Sequence, residues 1–231
     1  MTERSLLRKS TSPLYSRTNK YATQVHKLCQ ESAVKILETF EPQLMIAIGG
    51  GGYVPARILR SFLKQRDSPN IPIQAIGLSL YEQLPEMDPK SGATTPGAVE
   101  QIGHKVTRTQ WLDLSSLGGM EHLIGKRILI VDEVDDTRTT LEYAVKELEK
   151  DVEAARQKLG VQEETKFSIF VLHNKDKKKK GTLPNDMMAR DRYHAARTVD
   201  DVWICYPWEA IDIEEHDAMA KKQTNRTGSA N

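Results

Sequence analysis

Four carboxylates, Asp132, Glu133, Asp135 and Asp136, stand within five consecutive positions of the stretch ILIVDEVDDTRTT, residues 128–140. Aliphatic residues of a buried type run directly into them, and Thr137, Thr139 and Thr140 follow. Like charges at this spacing repel, so a fold that keeps them must offset the cost with a cation, a polyol or a proton. Asp132 and Glu133 suit hydrogen bonds from a vicinal diol, or contact with Mg²⁺. The hydroxyls, with the backbone N–H groups that open a helix, suit a terminal phosphate favoured by the positive end of the helix dipole. An acidic helix cap is the plainer account. It explains one aspartate and one threonine, but not an acid pair placed directly after four buried strand residues.

A second constellation is Gly49–Gly52, which follows LMIAI. No Gly-Lys-Ser/Thr follows at Walker A spacing, and Val54 or Pro55 stands where GxGxxG needs its last glycine, so both nucleotide loops fail. A plain tight turn remains open. Four glycines nevertheless strip one patch of backbone of side chains, so that its N–H groups can approach a polyphosphate. The histidines show no metal-ligand spacing.

These residues need a scaffold. Apolar residues recur at helical spacing from Tyr21 to Phe40, and Pro42 closes that helix. Leu44–Ile48 is a short buried strand, the glycines a loop, and VPARILRSFLK a helix with Pro55 near its start. Ile71–Tyr81 predicts a second strand. Residues 82–105, rich in Pro, Gly, Ser, Thr and acids, predict a mobile loop. Val106–Leu114 is an extended segment and Arg127–Val131 a buried strand. A helix is predicted from about Thr139, with Leu141, Val145, Leu148 and Val152 on one face and a charged, solvated end over 150–166. Phe167–Leu172 is a further buried strand leading into the lysine run 175–180. This alternation predicts an α/β domain, a mainly parallel central sheet flanked by helices, with ligands at the carboxyl ends of the strands.

The chain has 231 residues, enough for one sizeable core, and 33 basic against 32 acidic residues for a formal charge of +1. No global field favours nucleic acid or an anionic membrane. No apolar run reaches the ~20 residues of a membrane span. Cys29 and Cys205 form no cluster, as expected in a reducing compartment. The composition of residues 1–20 is compatible with a transit peptide, but a disordered basic arm is expected.

ILIVDEVDDTRTT resembles the phosphoribosyl pyrophosphate (PRPP) motif of the type I phosphoribosyltransferases. The resemblance implies that fold, with a small hood subdomain. It places Asp132 and Glu133 at the ribose hydroxyls, with Glu133 also a metal ligand. Asp136 falls at the purine N7 as acid/base, and residues 135–140 (Asp135, Asp136, Thr137, Arg138, Thr139 and Thr140) surround the 5′-phosphate. The family usually has glycine where Arg138 stands. A strict glycine conformation would be excluded or strained there, and the guanidinium either adds charge for the phosphate or points to solvent.

AIGGGGYVPARIL resembles the family's pyrophosphate loop, which implies pyrophosphate contacts from Gly49, Gly50 and Gly51. Many members carry Lys or Arg at the place of Gly50, so Mg²⁺ would carry more of the charge. Ser79 and Tyr81 in LSLYEQ match the start of the family's lid, or simply end a strand. FVLHNKDK and VWICYPWEA resemble base-recognition segments of the 6-oxopurine enzymes. They imply Lys175 at the purine O6, although the lysine run offers other registers. They also imply Trp203 stacked on the ring, the Ile204 backbone at C2, and Glu209 on a second Mg²⁺. Tryptophans are more often core residues, and lysine runs solvated loops.

The resemblance covers Tyr21 to Ala220 and is greatest to fungal 6-oxopurine phosphoribosyltransferases. IPIQAIGLSLYE, SIFVLHNKDK and DIEEH resemble the xanthine branch more than the hypoxanthine/guanine branch. It implies a cytoplasmic, homo-oligomeric (dimeric) enzyme that uses PRPP, a 6-oxopurine and Mg²⁺, with no nucleic-acid or membrane partner. Its domain would span 21–220, with the hood formed by the N- and C-terminal segments and a flexible tail over 221–231. A PRPP- or nucleotide-sensing regulator on the same fold is the non-enzymatic alternative. A PRPP synthetase is disfavoured by the lack of an ATP-binding segment or a duplicated domain.

Overall fold

The computed structural model describes residues 17–19, 22–79, 106–112 and 119–227. The expected loop 82–105 and Tyr81 lie outside the described residues, as do most of the basic arm and residues 228–231. The described chain forms two compact units, residues 25–200 and residues 1–24 with 201–231.

The larger unit is built on a six-stranded sheet. Its strands are β2 (Leu44–Ile48), β3 (Ile73–Ser79), β4 (Thr107–Gln110), β5 (Arg127–Asp135), β6 (Lys166–Lys175) and β7 (Tyr193–Val199), in the order β4-β3-β2-β5-β6-β7. All pairings are parallel except that of β3 with the edge strand β4. Every residue of β2 is buried, as expected of a central parallel strand covered on both faces. Helix α1 (Ala22–Thr39) buries Val25, Leu28, Cys29, Ala33 and Ile36 at helical spacing. Its exposed side is tied to β7 and its approach by Lys35–Asp191 and Arg197–Glu31 ion pairs. Helix α2 (Tyr53–Leu63) starts directly after the glycines and buries Pro55, Ala56, Leu59 and Leu63.

Helix α3 (Thr139–Leu159) buries Leu141, Ala144, Val145, Leu148 and Val152 against the main core. The charged stretch after Val152 is its solvated end, and Gly160 stops it in a left-handed conformation (φ 66°), donating its N–H to Arg156 and Gln157 carbonyls. A short helix α4 (Asn185–Ala189) precedes β7.

In the smaller unit, β1 (Arg17–Asn19) pairs in parallel with β8 (Trp203–Cys205), and α5 (Ile213–Thr227) follows. Two expectations are corrected here. Arg17–Asn19, assigned to a disordered arm, form a strand because β8 offers a ladder partner. Residues 221–227, assigned to a flexible tail, continue α5. That helix is anchored earlier by buried His216 and Ala220 and opens with Glu214 and Glu215 at its positive end. Among the described residues no helix is long and apolar enough to cross a membrane.

Candidate active site

Three of the four carboxylates do not follow a strand; they belong to one, and only Asp136 lies beyond its end. β5 runs on through Asp132–Asp135, because Asp132 pairs with Val171, Val134 with His173 and Asp135 with Asn174. Alternation along the strand separates their side chains. Asp132 is partly buried, and its Oδ1 accepts the Glu133 N–H at 2.8 Å. Burial first, then the neighbouring Glu133 and Asp135 charges, holds the Asp132 carboxyl well above the usual carboxylate range, against the lowering effect of that hydrogen bond.

The glycine loop reaches the same place. Leu44 to Ala47 of β2 pair with Ile128 to Val131 of β5, so the glycines leave the end of β2 beside the acid pair, where β5 runs on. Gly49 N–H donates to the Ile76 carbonyl at 2.5 Å and Gly52 N–H to Ile48 at 3.0 Å, which pins both ends of the loop. Gly50 is left-handed (φ 82°), with open space where a Cβ would stand. At Gly51 a Cβ would overlap the Glu133 side chain, so glycine here is what lets the loop lie on that carboxylate.

The four acids therefore have three environments. Asp135 is 1% exposed. A buried unpaired carboxylate would cost several kcal/mol, and Asp135 is in fact surrounded. The Arg138 Nε and Nη2 both lie 2.9 Å from Oδ2, the Tyr193 hydroxyl donates to Oδ2 at 2.6 Å, and the Lys179 Nζ faces Oδ1 at 3.4 Å. Burial, then Asp135, pushes the Tyr193 hydroxyl far above its ordinary pKa. The Asp135 carboxylate is thus turned inward, and any contact it makes with a phosphate must come from its backbone.

Asp136 points the other way. Its Oδ1 lies 2.5 Å from Lys177 Nζ and 3.4 Å from Lys175 Nζ. Lys175 ends β6 and is mostly buried; Lys177 belongs to the loop beyond.

Arg138 meets the conformational demand of the glycine position despite its side chain. It adopts the left-handed conformation (φ 68°, ψ −1°) as the N-cap of α3. For a residue with a Cβ this costs roughly 1–2 kcal/mol. A hydrogen bond to a charged group contributes roughly 1.5–3 kcal/mol, so the Nε bond to Asp135 is of a size to offset that cost. The guanidinium lies against the Asp135 carboxylate and 5.0 Å from the Tyr193 ring centroid, with its side chain 16% exposed. The first intrahelical bond runs from Glu142 N–H to the Arg138 carbonyl at 2.9 Å. The N–H groups of Thr139, Thr140 and Leu141 therefore open the helix without helical partners, beside the Thr137 and Thr139 hydroxyls, 3.0 Å apart.

Lys179, Gly181 and Tyr193 were not singled out in the sequence. The Lys179 ammonium donates to the carbonyls of Asp135 (2.7 Å), Lys175 (2.9 Å) and Asp136 (3.0 Å), stitching β5 to the end of β6, and burial lowers its pKa first of all. Lys180 and Gly181 N–H groups both donate to the Thr137 carbonyl at 3.0 Å. A Cβ on Gly181 would come within 2.6 Å of the Arg138 carbonyl. The lysine run is thus a buttress under residues 135–138 as well as a source of charge.

Ser79 ends β3, paired with Thr107. Trp203, Ile204 and Glu209 lie in the smaller unit. Trp203 is 60% exposed, whereas the Ile204 side chain is buried. Glu209 Oε2 accepts the Tyr206 N–H at 3.0 Å. Among the described residues no group of three or more metal-type side chains converges. The Asp132 carboxyl is raised first by burial and then by the Glu133 and Asp135 charges, so a cation or a hydrogen-bond donor beside it would stabilise its ionised form.

No family model matches the chain. It is 57% identical over 202 residues to xanthine phosphoribosyltransferase 1 of Saccharomyces cerevisiae, covering 86% of this chain and 92% of that protein. To the hypoxanthine-guanine phosphoribosyltransferase of Schizosaccharomyces pombe it is 55% identical, covering 86% and 91%. Among solved structures, a hypothetical protein from Neisseria gonorrhoeae with bound ppGpp superposes with a TM-score of 0.67 at 34% identity, over 91% of this chain and 98% of that one. The purine phosphoribosyltransferase of Pyrococcus horikoshii, at 24% identity, shares the fold with a TM-score of 0.53 over 85% and 95%. The chain belongs to the purine phosphoribosyltransferases, a family of pentosyltransferases. Its similarity extends to both the xanthine and the hypoxanthine-guanine members.

Proposed function

We propose that the protein transfers the phosphoribosyl group of PRPP to N9 of a 6-oxopurine, with xanthine the preferred base, and releases pyrophosphate. The observation that carries this reading is the convergence of Gly51 on Glu133 at the carboxyl end of the sheet, with residues 137–140 following directly after the same strand. A diphosphate, a ribose and a terminal phosphate would then lie in sequence along residues 49–51, 132–133 and 137–140. Asp132 and Glu133 hold the ribose hydroxyls and Glu133 an Mg²⁺ ion, with Glu209 the proposed ligand of a second. When bound, Mg²⁺ neutralises charge on the pyrophosphate leaving group.

This chain's residues do the rest. As C1′ gains oxocarbenium character, the acid pair stabilises positive charge. Asp136 accepts or returns the N7 proton while Lys175 and Lys177 face its carboxylate. Lys175 donates to O6, Trp203 stacks on the ring, and the Ile204 backbone meets the C2 edge. Ser79 and Tyr81 belong to a lid that excludes water from C1′. The hood is formed by the terminal segments, and the enzyme is a cytoplasmic homodimer. A sensor of PRPP alone would need neither Asp136 nor a purine platform. Hypoxanthine/guanine specificity is the runner-up, favoured by relatives of that name at 55% and 51% identity.

The test is to incubate the protein with PRPP, Mg²⁺ and each of xanthine, hypoxanthine, guanine and adenine, and identify the nucleotides formed. XMP as the main product is expected. IMP or GMP dominating overturns the base preference, and AMP alone or no nucleotide overturns the proposed reaction.

A further inference from the structure

We propose that Asp135, Arg138 and Tyr193 act as a positioning triad for the PRPP 5′-phosphate, replacing a glycine's conformational freedom with a buried charge lock. This rests on the proposed function, since it concerns the same phosphate loop. Arg138 must be left-handed for the chain to turn from β5 into α3 with the N–H groups of 139–141 gathered at one point. Glycine would take that conformation without steric penalty. Arginine holds it here because its guanidinium is bound, three residues back, by a carboxylate that is itself fully buried. Tyr193 orients that carboxylate with a 2.6 Å hydrogen bond from β7 and lies under the guanidinium. Lys179 supplies the second positive charge, so one carboxylate faces two cations and a phenol.

Two consequences separate this from a direct role for the Arg138 charge. First, the triad should matter for ligands that carry a 5′-phosphate and not for their phosphate-free counterparts. Second, Asp135 and Tyr193 should matter only while residue 138 is not glycine.

The experiment is calorimetric titration of IMP, GMP and XMP, each against its own nucleoside, into the wild type and into Asp135→Asn, Tyr193→Phe, Arg138→Ala and Arg138→Gly. The double variant Arg138→Gly/Tyr193→Phe completes the set. Expected is a loss of about tenfold in monophosphate affinity for Tyr193→Phe and Arg138→Ala, the factor that a left-handed penalty of this size implies. Nucleoside affinity should stay within about twofold. Arg138→Gly should bind the monophosphate better than Arg138→Ala, and in that background Tyr193→Phe should cost less than about twofold. Tyr193→Phe removes one hydroxyl only, so it decides the matter even if Asp135→Asn does not fold. Arg138→Gly binding as weakly as Arg138→Ala, or Tyr193→Phe costing the same in both backgrounds, overturns the triad. A wild type that does not distinguish any monophosphate from its nucleoside refutes the proposed function instead.

Discussion

Gly51 lies against the Glu133 side chain so closely that a Cβ at residue 51 would overlap the Glu133 carboxyl group. The glycine loop and the acid pair are therefore one device, and substitution in the loop is felt first by the carboxylate. Gly51→Ala should displace Glu133 and leave the fold intact, because the obstructing atoms end a flexible side chain. A displacement of this kind can cost up to ~100-fold in turnover efficiency, with PRPP binding weakened and melting temperature nearly unchanged. Gly52→Ala should do the reverse. Its Cβ would meet the backbone carbonyls of Ile48 and Val131, which cannot move aside. A loss of about 1–3 kcal/mol is expected for such overpacking. Denaturant unfolding alongside PRPP titration checks both variants, and equal destabilisation of the two would refute the distinction.

Asp136→Asn should keep the protein folded and PRPP bound while turnover falls. The amide keeps the shape but cannot accept the N7 proton, and general acid–base groups contribute about 10²- to 10⁴-fold. Steady-state kinetics at saturating PRPP test this. Unchanged kcat would remove Asp136 from the mechanism and leave it as the counter-charge of Lys175 and Lys177.

The strands, the glycine loop and the start of α3 were legible in the sequence because short apolar runs and a helical stripe mark them. Their ends were not. β5 continues through four residues, three of them acids whose polarity suggests a loop, since ladder pairing with β6 depends on residues some forty positions away. The inward turn of Asp135 was hidden for the same reason: its partner Tyr193 lies 58 residues on, outside any local pattern. Lys179 could not be told from its neighbours in KDKKKK, although it donates to three carbonyls. Arg138 was recognisable as a departure, and its consequence needed the position of the guanidinium.

Asp132 predicts a pH dependence. Its folded-state pKa lies well above the ordinary 3.8. The ligand-free folded protein therefore holds a proton that the unfolded chain has released. Its stability falls as pH rises from the ordinary value through the raised one, and this contribution vanishes at lower pH, where both states are protonated. Asp132→Asn removes the dependence. The ligand-free variant should melt higher than wild type at neutral pH, with the difference shrinking below pH ~4, and should gain less from PRPP with Mg²⁺. A difference in melting temperature that is flat across pH would show that Asp132 is not the group responsible.

Base choice turns on which lysine faces the purine. Lys175 is held at the end of β6 with its Nζ 3.4 Å from Asp136, whereas Lys177 makes the closer 2.5 Å contact from the loop. Lys177 is thus the nearer partner of Asp136, and the proposed reaction makes Lys175 the donor to O6. A site built to pair one polar group rejects the unpaired analogue by as much as ~10⁴-fold. Lys175→Ala should accordingly lower kcat/KM for 6-oxopurines and narrow the gap to adenine, while Lys177→Ala should alter the pH profile of kcat and leave the gap wide. At C2, the Ile204 carbonyl alone would favour guanine, so preference for xanthine requires an added donor. Pro207 has no N–H, and the Tyr206 N–H is given to Glu209. Neither Tyr206 nor Pro207 can therefore be that donor through its backbone N–H. Comparing kcat/KM for the four bases in wild type, Lys175→Ala and Lys177→Ala decides the assignment: an adenine gap that closes in Lys177→Ala and persists in Lys175→Ala exchanges the two roles.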